Sequence, residues 1–358
     1  MKAAVLRAFN TPLVIEELPD PLPGAGEAVV DVVVAPVLSY TNEVLSGARQ
    51  YPLLLPLAIG VGAIGRVRAV GPDATRLAPG DWVLCDPTVR ARDGVDTPDI
   101  MLQGWIAPSP GAQRLQAHFR HGAFAEQVLI PLENALPLGP LDAAEAGQLA
   151  ALFTMLVPYG GLLAGNLQAG QTVLISGATG HFGSAGVAVA LAMGAACVVA
   201  PGRNEAVLAD MVRRFGPRVV PVTLTGDPAA DEQRMRQAAP GPIDLVLDIL
   251  PPLPDAASVE AAARTVRANG TVVLMGGLRV GLTLNYAHLM RNNITVKGQY
   301  MCPRDAPAKL MALIRAGLLP LNELEVSSFP LDQANEAVAH AATHGGPFRY
   351  TVIQPTAV

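Results

Sequence analysis

Apolar and polar positions change their period twice along this chain. Through residue 135 the apolar residues come in short alternating or continuous runs: MKAAVLR, PLVIEEL, EAVVDVVVA, IGRVRAV, DWVLC and FAEQVLI. Pro, Gly and Asp separate them, a spacing that predicts a β-rich region. Helical periodicity then covers 142–165. From 171 to about 297, apolar runs at 171–176, 196–200, 218–222, 244–248, 271–275 and 293–298 alternate with helix-length segments, the order of a doubly wound parallel sheet. After 299 the first pattern returns, with a helix at 305–317, strand-like ELEVSSF, a helix from Leu331 to Thr343 and a last strand FRYTVIQP. The chain therefore reads as an α/β protein: a doubly wound unit (136–297) inserted in a β-rich domain built from 1–135 and 298–358. The segment 86–120 is a long excursion that reads as a lobe or lid rather than a linker.

The stretch QTVLISGATGHFGSAGVAVALAMGAACVVAPGRN (171–204) carries the first chemistry. A buried strand leads into Gly177, Ala178, Thr179, Gly180, His181, Phe182 and Gly183, and an Ala/Val/Leu helix follows. Such a turn aims helix N-terminal N–H groups at an anion, here a dinucleotide pyrophosphate. The pattern is A-x-G-x-x-G with an additional Gly177, and the bland alternative is a glycine turn used only for helix–sheet packing. At the end of the second strand stand Gly202, Arg203 and Asn204, where an NAD site would place a carboxylate for the ribose hydroxyls. A guanidinium there suits a 2′-phosphate, so the expected cofactor is NADPH. On the nicotinamide side, Met275, Gly276 and Gly277 end the strand GTVVLMGG, with Asn285 and Lys297 as weaker candidates. Asp248 is expected near the ribose or in a structural role.

Composition narrows the class. The chain has 358 residues, is 51% hydrophobic and 15% charged, and carries a formal net charge of −5. It supplies two cores, argues against disorder and offers no basic run for nucleic acid. The uncharged stretches 147–165 and 183–202 approach membrane-spanning length. Pro158, Gly160 and Gly161 interrupt the first, and the second joins a glycine turn to a strand, so both are expected in a protein core. The N-terminus alternates like a strand, and a cytoplasmic protein is expected. Cys85, Cys197 and Cys302 are far apart, form no CxxC pair and read as small buried residues.

MKAAVLRAF, the turn GPDATRLAPGDWV (71–83), GAFAEQVLIP (122–131), GATGHFG and GTVVLMGG follow one another in an order that resembles the medium-chain dehydrogenase/reductase superfamily along the whole chain. The resemblance implies a Rossmann cofactor domain within a GroES-like catalytic domain, an oxidoreductase activity, and a homodimer, for which a strand over 280–286 (VGLTLNY) offers an edge. It also locates a departure. Zinc enzymes of the superfamily hold their catalytic metal with Cys, a His-Glu pair, and a later Cys or acid. The matching places here hold Ser39, Val61 and Gly62, and Phe153, and 86–121 contains no cysteine for a structural zinc. No metal site is expected. Aligned on Ser46-Gly47, Leu38 and Glu43 also replace an Asn and a Tyr of the quinone-reductase branch.

Hydride transfer without a Lewis acid needs an acceptor that delocalises charge, or a side chain that donates to the developing oxyanion. Tyr40 is the first candidate donor, beside Ser39, Thr41 and Asn42; Ser39 and Asn42 serve equally well as helix caps. Tyr51, Tyr159, His118 and His121 are second-line, and His181 is expected at the pyrophosphate. The leading expectation is a zinc-independent, NADPH-dependent reductase of quinones or α,β-unsaturated carbonyls. The alternatives are a zinc-independent alcohol dehydrogenase or ketone reductase with a Tyr/Ser donor, and a nucleotide-binding protein without turnover. Expected partners are a small carbonyl or quinone substrate, with no nucleic acid and no membrane.

Overall fold

The computed structural model describes residues 1–355. The chain forms two compact units, 1–153 with 321–358 and 154–320. Both cuts fall later than the boundaries expected at 135 and 297. The helix Ala143–Leu149 packs against the strands Glu27–Val37 and Glu325–Pro330, which keeps it with the β-rich unit. The expected helix over 142–165 is two helices, Ala143–Leu149 and Leu152–Ala164. Asp142 opens the first with a capping box involving Glu145. The second runs through Pro158, so the break lies ahead of that proline rather than at it.

The β-rich unit is built on the 11-residue strand Glu27–Val37. It pairs antiparallel with Ala63–Val70, Gln127–Pro131 and the final strand Arg349–Gln354. Residues from opposite ends of the chain thus share one sheet. Lys2–Leu6 forms a second, three-stranded sheet with Val14–Glu17 and Leu57–Ala58. The 86–120 excursion is a lobe: a hairpin of Thr88–Arg90 with Ile100–Leu102 and a helix Pro110–His118, packed around Val89, Met101, Ala112 and Phe119. Ser109 caps its helix.

The second unit contains a six-stranded parallel sheet in the order 219–223, 197–202, 172–176, 243–248, 266–274, 295–298. All six expected strands are present. Their continuous apolar runs suit a sheet buried on both faces. Leu174, Val199, Val222, Val246 and Val272 lie in one core with Cys197. Asp244 ties neighbouring strands, accepting from Thr172 N at 2.8 Å and pairing with Arg267 at 2.6 Å. The segment 280–286 is not a strand. Asn285 accepts from His288 N and caps the helix Tyr286–Arg291, so its alternating apolar positions precede a helix. The strand at the sheet's edge is Thr295–Gly298.

All three cysteines are buried, and none is joined in a disulfide. Among the described residues one helical stretch, Ala144–Ala164, is long and apolar enough to cross a membrane, and most of it (78%) is buried inside the protein.

Candidate functional site

The strand Thr172–Ser176 delivers the chain into Gly177, whose φ of +89° is a conformation that favours glycine. The helix His181–Ala192 then begins at Gly180. Gly183 allows the close approach: a Cβ there would overlap the Gly177 carbonyl and lie 2.8 Å from Ala178 Cα. The first turn of any helix carries N–H groups without intrahelical acceptors. Here that turn sits at the carboxyl end of a central parallel strand, where open α/β sheets bind ligands.

A cavity of about 700 Å³ opens at this end of the sheet. Gly177, Thr179, Gly180, Gly202 and Arg203 all line it. Gly202 is required by Thr179, whose side chain occupies the place of a Cβ. Arg203 is exposed, and its guanidinium has no hydrogen bond or ion pair among the described residues. The other expected residues surround the turn without lining the cavity. Ala178 is fully buried, and Asn204 caps the helix Glu205–Phe215 by accepting from Val207 N. Phe182 stacks edge-on with His181, and His181 Nε2 lies 3.0 Å from Thr154 Oγ1. That hydroxyl is one partner of the imidazole.

Met275, Gly276 and Gly277 sit two strands away. Met275 N and Gly277 N donate to the carbonyls of Asp248 and Leu250. Gly276 makes room for Asp248: a Cβ would overlap Oδ2. The Asp248 carboxylate also accepts from Ser176, Leu250 N and Gly276 N, yet burial dominates and lifts its pKa to about 6. Asn285 is a helix cap, and Lys297 Nζ donates to the Ala164 carbonyl at 3.3 Å.

Sequence reasoning missed the rest of the cavity wall, which comes from the loops after two other strands and from the helices that follow them, with Met235 and Ala261 among the lining residues. Leu250–Asp255 is one loop; its ILPPLPD run after an apolar strand was the available signal. The other spans Leu224 to Pro228. Asp231 holds it by accepting from Thr225 N, Thr225 Oγ1 and Gly226 N. Arg234 was also missed. It donates to the Thr223 carbonyl at 3.0 Å, and Thr223 is the register partner of Gly202, so a second guanidinium stands beside the strand end that carries Arg203.

In the other unit, Ser39 and Tyr40 precede the short helix Thr41–Leu45. Tyr40 takes the cap position without a side-chain cap, so neither Ser39 nor Asn42 caps it. Thr41 is buried and donates to the Leu38 carbonyl. Tyr40 accepts from Trp105 Nε1 at 3.3 Å, lies edge-on to that indole, and has Arg49 over its ring at 4.3 Å. Burial, and then Tyr51 beside it, push its phenol far above the ordinary range, so it stays protonated. Ser39 is half-buried and Asn42 exposed; neither side chain has a hydrogen bond among the described residues. His118 pairs with Glu27, and His121 Nδ1 accepts from Ala58 N, so both are tied into the fold.

The places matched to zinc ligands do not fit that metal. Gly62 has φ +77°, and a Cβ there would overlap the Phe153 ring. Serine, valine, glycine and phenylalanine offer no thiolate, imidazole or carboxylate. Among the described residues no three His, Cys, Asp or Glu side chains gather anywhere.

Comparison with known proteins agrees with this architecture. The Alcohol dehydrogenase GroES-like domain matches residues 24–140, and the Zinc-binding dehydrogenase family matches 182–316. An alcohol dehydrogenase of Rhizobium meliloti is 30% identical over 85% of this chain and 85% of its own. An acryloyl-coenzyme A reductase of Metallosphaera sedula is 29% identical over 62% of this chain and 64% of its own length. Among solved structures, a thermostable alcohol dehydrogenase from Pyrobaculum aerophilum superposes with a TM-score of 0.77 at 22% identity, covering 99% of both chains. A β-rich unit with an inserted parallel doubly wound sheet, the glycine turn and these relatives place the chain in the medium-chain dehydrogenase/reductase superfamily of oxidoreductases.

Proposed function

We propose that this oxidoreductase is a zinc-independent, NADPH-dependent reductase of conjugated carbonyls or quinones. The observation that carries the reading is the Gly62–Phe153 contact, where an aromatic ring fills the space a side chain at Gly62 would need. An acceptor that spreads its own negative charge suits a protein without a Lewis acid at that point. The relative from Metallosphaera sedula, by its name, reduces the conjugated thioester acryloyl-coenzyme A, which favours a conjugated acceptor here too.

The 700 Å³ cavity supports the cofactor reading. In it the Gly177–Gly183 turn and the helix N-terminus would hold the pyrophosphate, and Gly202 and Arg203 the adenosine ribose, with Asn204 capping the helix that follows them. Arg203 and Arg234 would neutralise the 2′-phosphate. Met275, Gly276 and Gly277 would flank the nicotinamide. NADPH supplies the hydride when bound. Tyr40 keeps its proton and would donate a hydrogen bond to the developing oxyanion, with Ser39 and Asn42 as further donors.

The engaged Trp105–Tyr40 pair favours one second reading, reduction of ketones with Tyr40 as donor. NADPH oxidation measured with quinones, enones and saturated ketones separates the two. Turnover confined to saturated ketones overturns the first reading, and tight NADPH binding without turnover overturns both. Chelator treatment is expected to leave turnover unchanged.

A homodimer is proposed through the edge of the parallel sheet. Tyr286 and Met290, 80% and 57% exposed, lie in the helix that leads to the edge strand Thr295–Gly298. Tyr286→Asp with Met290→Asp is expected to yield monomers by light scattering; an unchanged mass places the interface elsewhere.

A further inference from the structure

Among the described residues, Asp231 is the one charged side chain of the 700 Å³ cavity wall that is buried; Arg203 and Asp255 are exposed. Burying a carboxylate costs free energy unless donors meet it. Three do so here. Oδ1 accepts from Thr225 N at 2.7 Å and from Thr225 Oγ1 at 2.8 Å, and Oδ2 accepts from Gly226 N at 3.1 Å. A carboxylate offers about four acceptor directions, two on each oxygen. Oδ1 is therefore fully used, and Oδ2 keeps one direction open among the described residues.

The open direction lies on the cavity side. Oδ2 is bonded to Gly226, which lines the cavity, whereas Oδ1 is taken up by Thr225, which does not. The wall around it is apolar. Leu224 and Leu250 come from the two flanking loops, and Met235, Ala261 and Ala262 from the helices Pro228–Ala238 and Ala257–Arg264. Leu224 N donates to the Gly202 carbonyl at 3.0 Å, which fixes this loop beside the strand end that carries Arg203. An apolar slot with one buried acceptor suits a flat aromatic base that carries an amino group on its edge.

We infer that Asp231 reads the base of the bound dinucleotide: Oδ2 accepts from the exocyclic 6-amino group of adenine and so selects adenine over a purine with a 6-carbonyl. This role for Asp231 rests on the cofactor reading given above. It supplies base selectivity, which neither the glycine turn nor Arg203 can supply, because in that reading they face phosphates and ribose. A 6-carbonyl placed against Oδ2 sets two acceptors face to face with no proton between them, so the fourth bond of the carboxylate is lost. The N1–H of such a purine lies one ring position away and meets Oδ2 only if the base slides within the slot.

The test titrates the full chain by calorimetry with NADPH and with its deamino analogue, in which hypoxanthine replaces adenine. The analogue is expected to bind about tenfold more weakly, as for one lost hydrogen bond to a charged group. Asp231→Asn can keep both Thr225 bonds through its carbonyl and puts an amide N–H donor in the place of Oδ2. In that variant the preference is expected to reverse, with the deamino analogue bound more tightly than NADPH. If Asp231 only braces the loop, the variant weakens both nucleotides by the same factor and their ratio stays as in the parent, which overturns the inference. Equal affinity for the two nucleotides in the parent overturns it as well, without any need for the variant to fold. Failure of the parent to bind NADPH at all overturns the cofactor reading, and this role of Asp231 with it.

Discussion

Gly62 and Gly183 are both glycines against which another part of the chain is tightly packed, and they serve opposite ends. At Gly183 the missing Cβ lets a helix start directly on the Gly177 carbonyl, and the turn so formed borders a 700 Å³ cavity. At Gly62 the missing side chain is replaced by the Phe153 ring, and the space is filled. One glycine keeps room for a ligand; the other gives it to the protein's own core. The comparison teaches that a glycine need not leave a hole, because a distant side chain can pack where its own would lie. On the proposed reading, the hydrogen bond to the developing oxyanion comes from a side chain such as Tyr40.

The largest effect that tests this is at Phe153, which is 6% exposed. Phe153→Ala is expected to cost about 3–5 kcal/mol in urea unfolding, the usual range for a buried phenylalanine. Gly62→Ala in the parent meets both the ring and its own positive φ. In the Phe153→Ala background only the left-handed backbone penalty of about 1–2 kcal/mol is expected to remain. Strictly additive costs mean that the ring does not fill the Gly62 position, and the contrast fails.

Gly276 adds a third case, in which a glycine makes room for a carboxylate. Asp248 titrates near 6 rather than 3.8 because it is buried. A carboxyl with a raised folded pKa contributes its full stability below the unfolded value and loses it as pH rises through the folded one. For Asp248 the loss runs from pH 3.8 to about 6, and ionisation leaves the folded state about 3 kcal/mol poorer by pH 7. Asp248→Asn can keep the bonds to Ser176 and Leu250 but has nothing to ionise. Its stability relative to the parent is expected to improve from pH 4.5 to pH 7, by about 2 kcal/mol in denaturant titrations. A difference independent of pH would show that Asp248 does not titrate in that window.

The two regions also differ in how much of them could be read from the chain. Around Gly183 the signal is local: strand, glycines and helix lie within a single stretch of sequence. The six parallel strands were legible for the same reason, since each is one apolar run between turns. Around Gly62 it is not local. Nothing in VGAIG announces that Phe153 will lie on it, or that Trp105 will donate to Tyr40, because those contacts are made by distant segments. Local pattern also misled at 280–286, where alternation suggested a strand. Thr283 N instead donates to Glu260 and Asn285 opens a helix, so no ladder forms. Period two marks a strand only when a neighbouring strand supplies hydrogen bonds.

Gly183→Ala tests the other side of the comparison. Its Cβ would overlap the Gly177 carbonyl, so the turn must move, at a cost of about 1–3 kcal/mol in stability. NADPH affinity, measured by quenching of nicotinamide fluorescence, is expected to fall with it. A variant that folds normally and binds NADPH as the parent does would show that the close approach does not shape the cofactor site.

The smallest effect concerns which dinucleotide the cavity prefers. Arg203 is exposed and unpaired among the described residues, so its removal costs the fold little and any change is read in binding. Arg203→Ala is expected to weaken NADPH about tenfold, as for one solvent-exposed charge-assisted contact. NADH, which lacks the 2′-phosphate, is expected to bind almost unchanged. Arg234→Ala is expected to act in the same direction but less, because one of its amino groups is already held by the Thr223 carbonyl. Both losses are expected to shrink as salt is raised, since two exposed cations act on one anion through screened charge. Equal losses for NADPH and NADH would mean that Arg203 supports the turn itself, and the proposed preference for the phosphorylated cofactor would lose its basis.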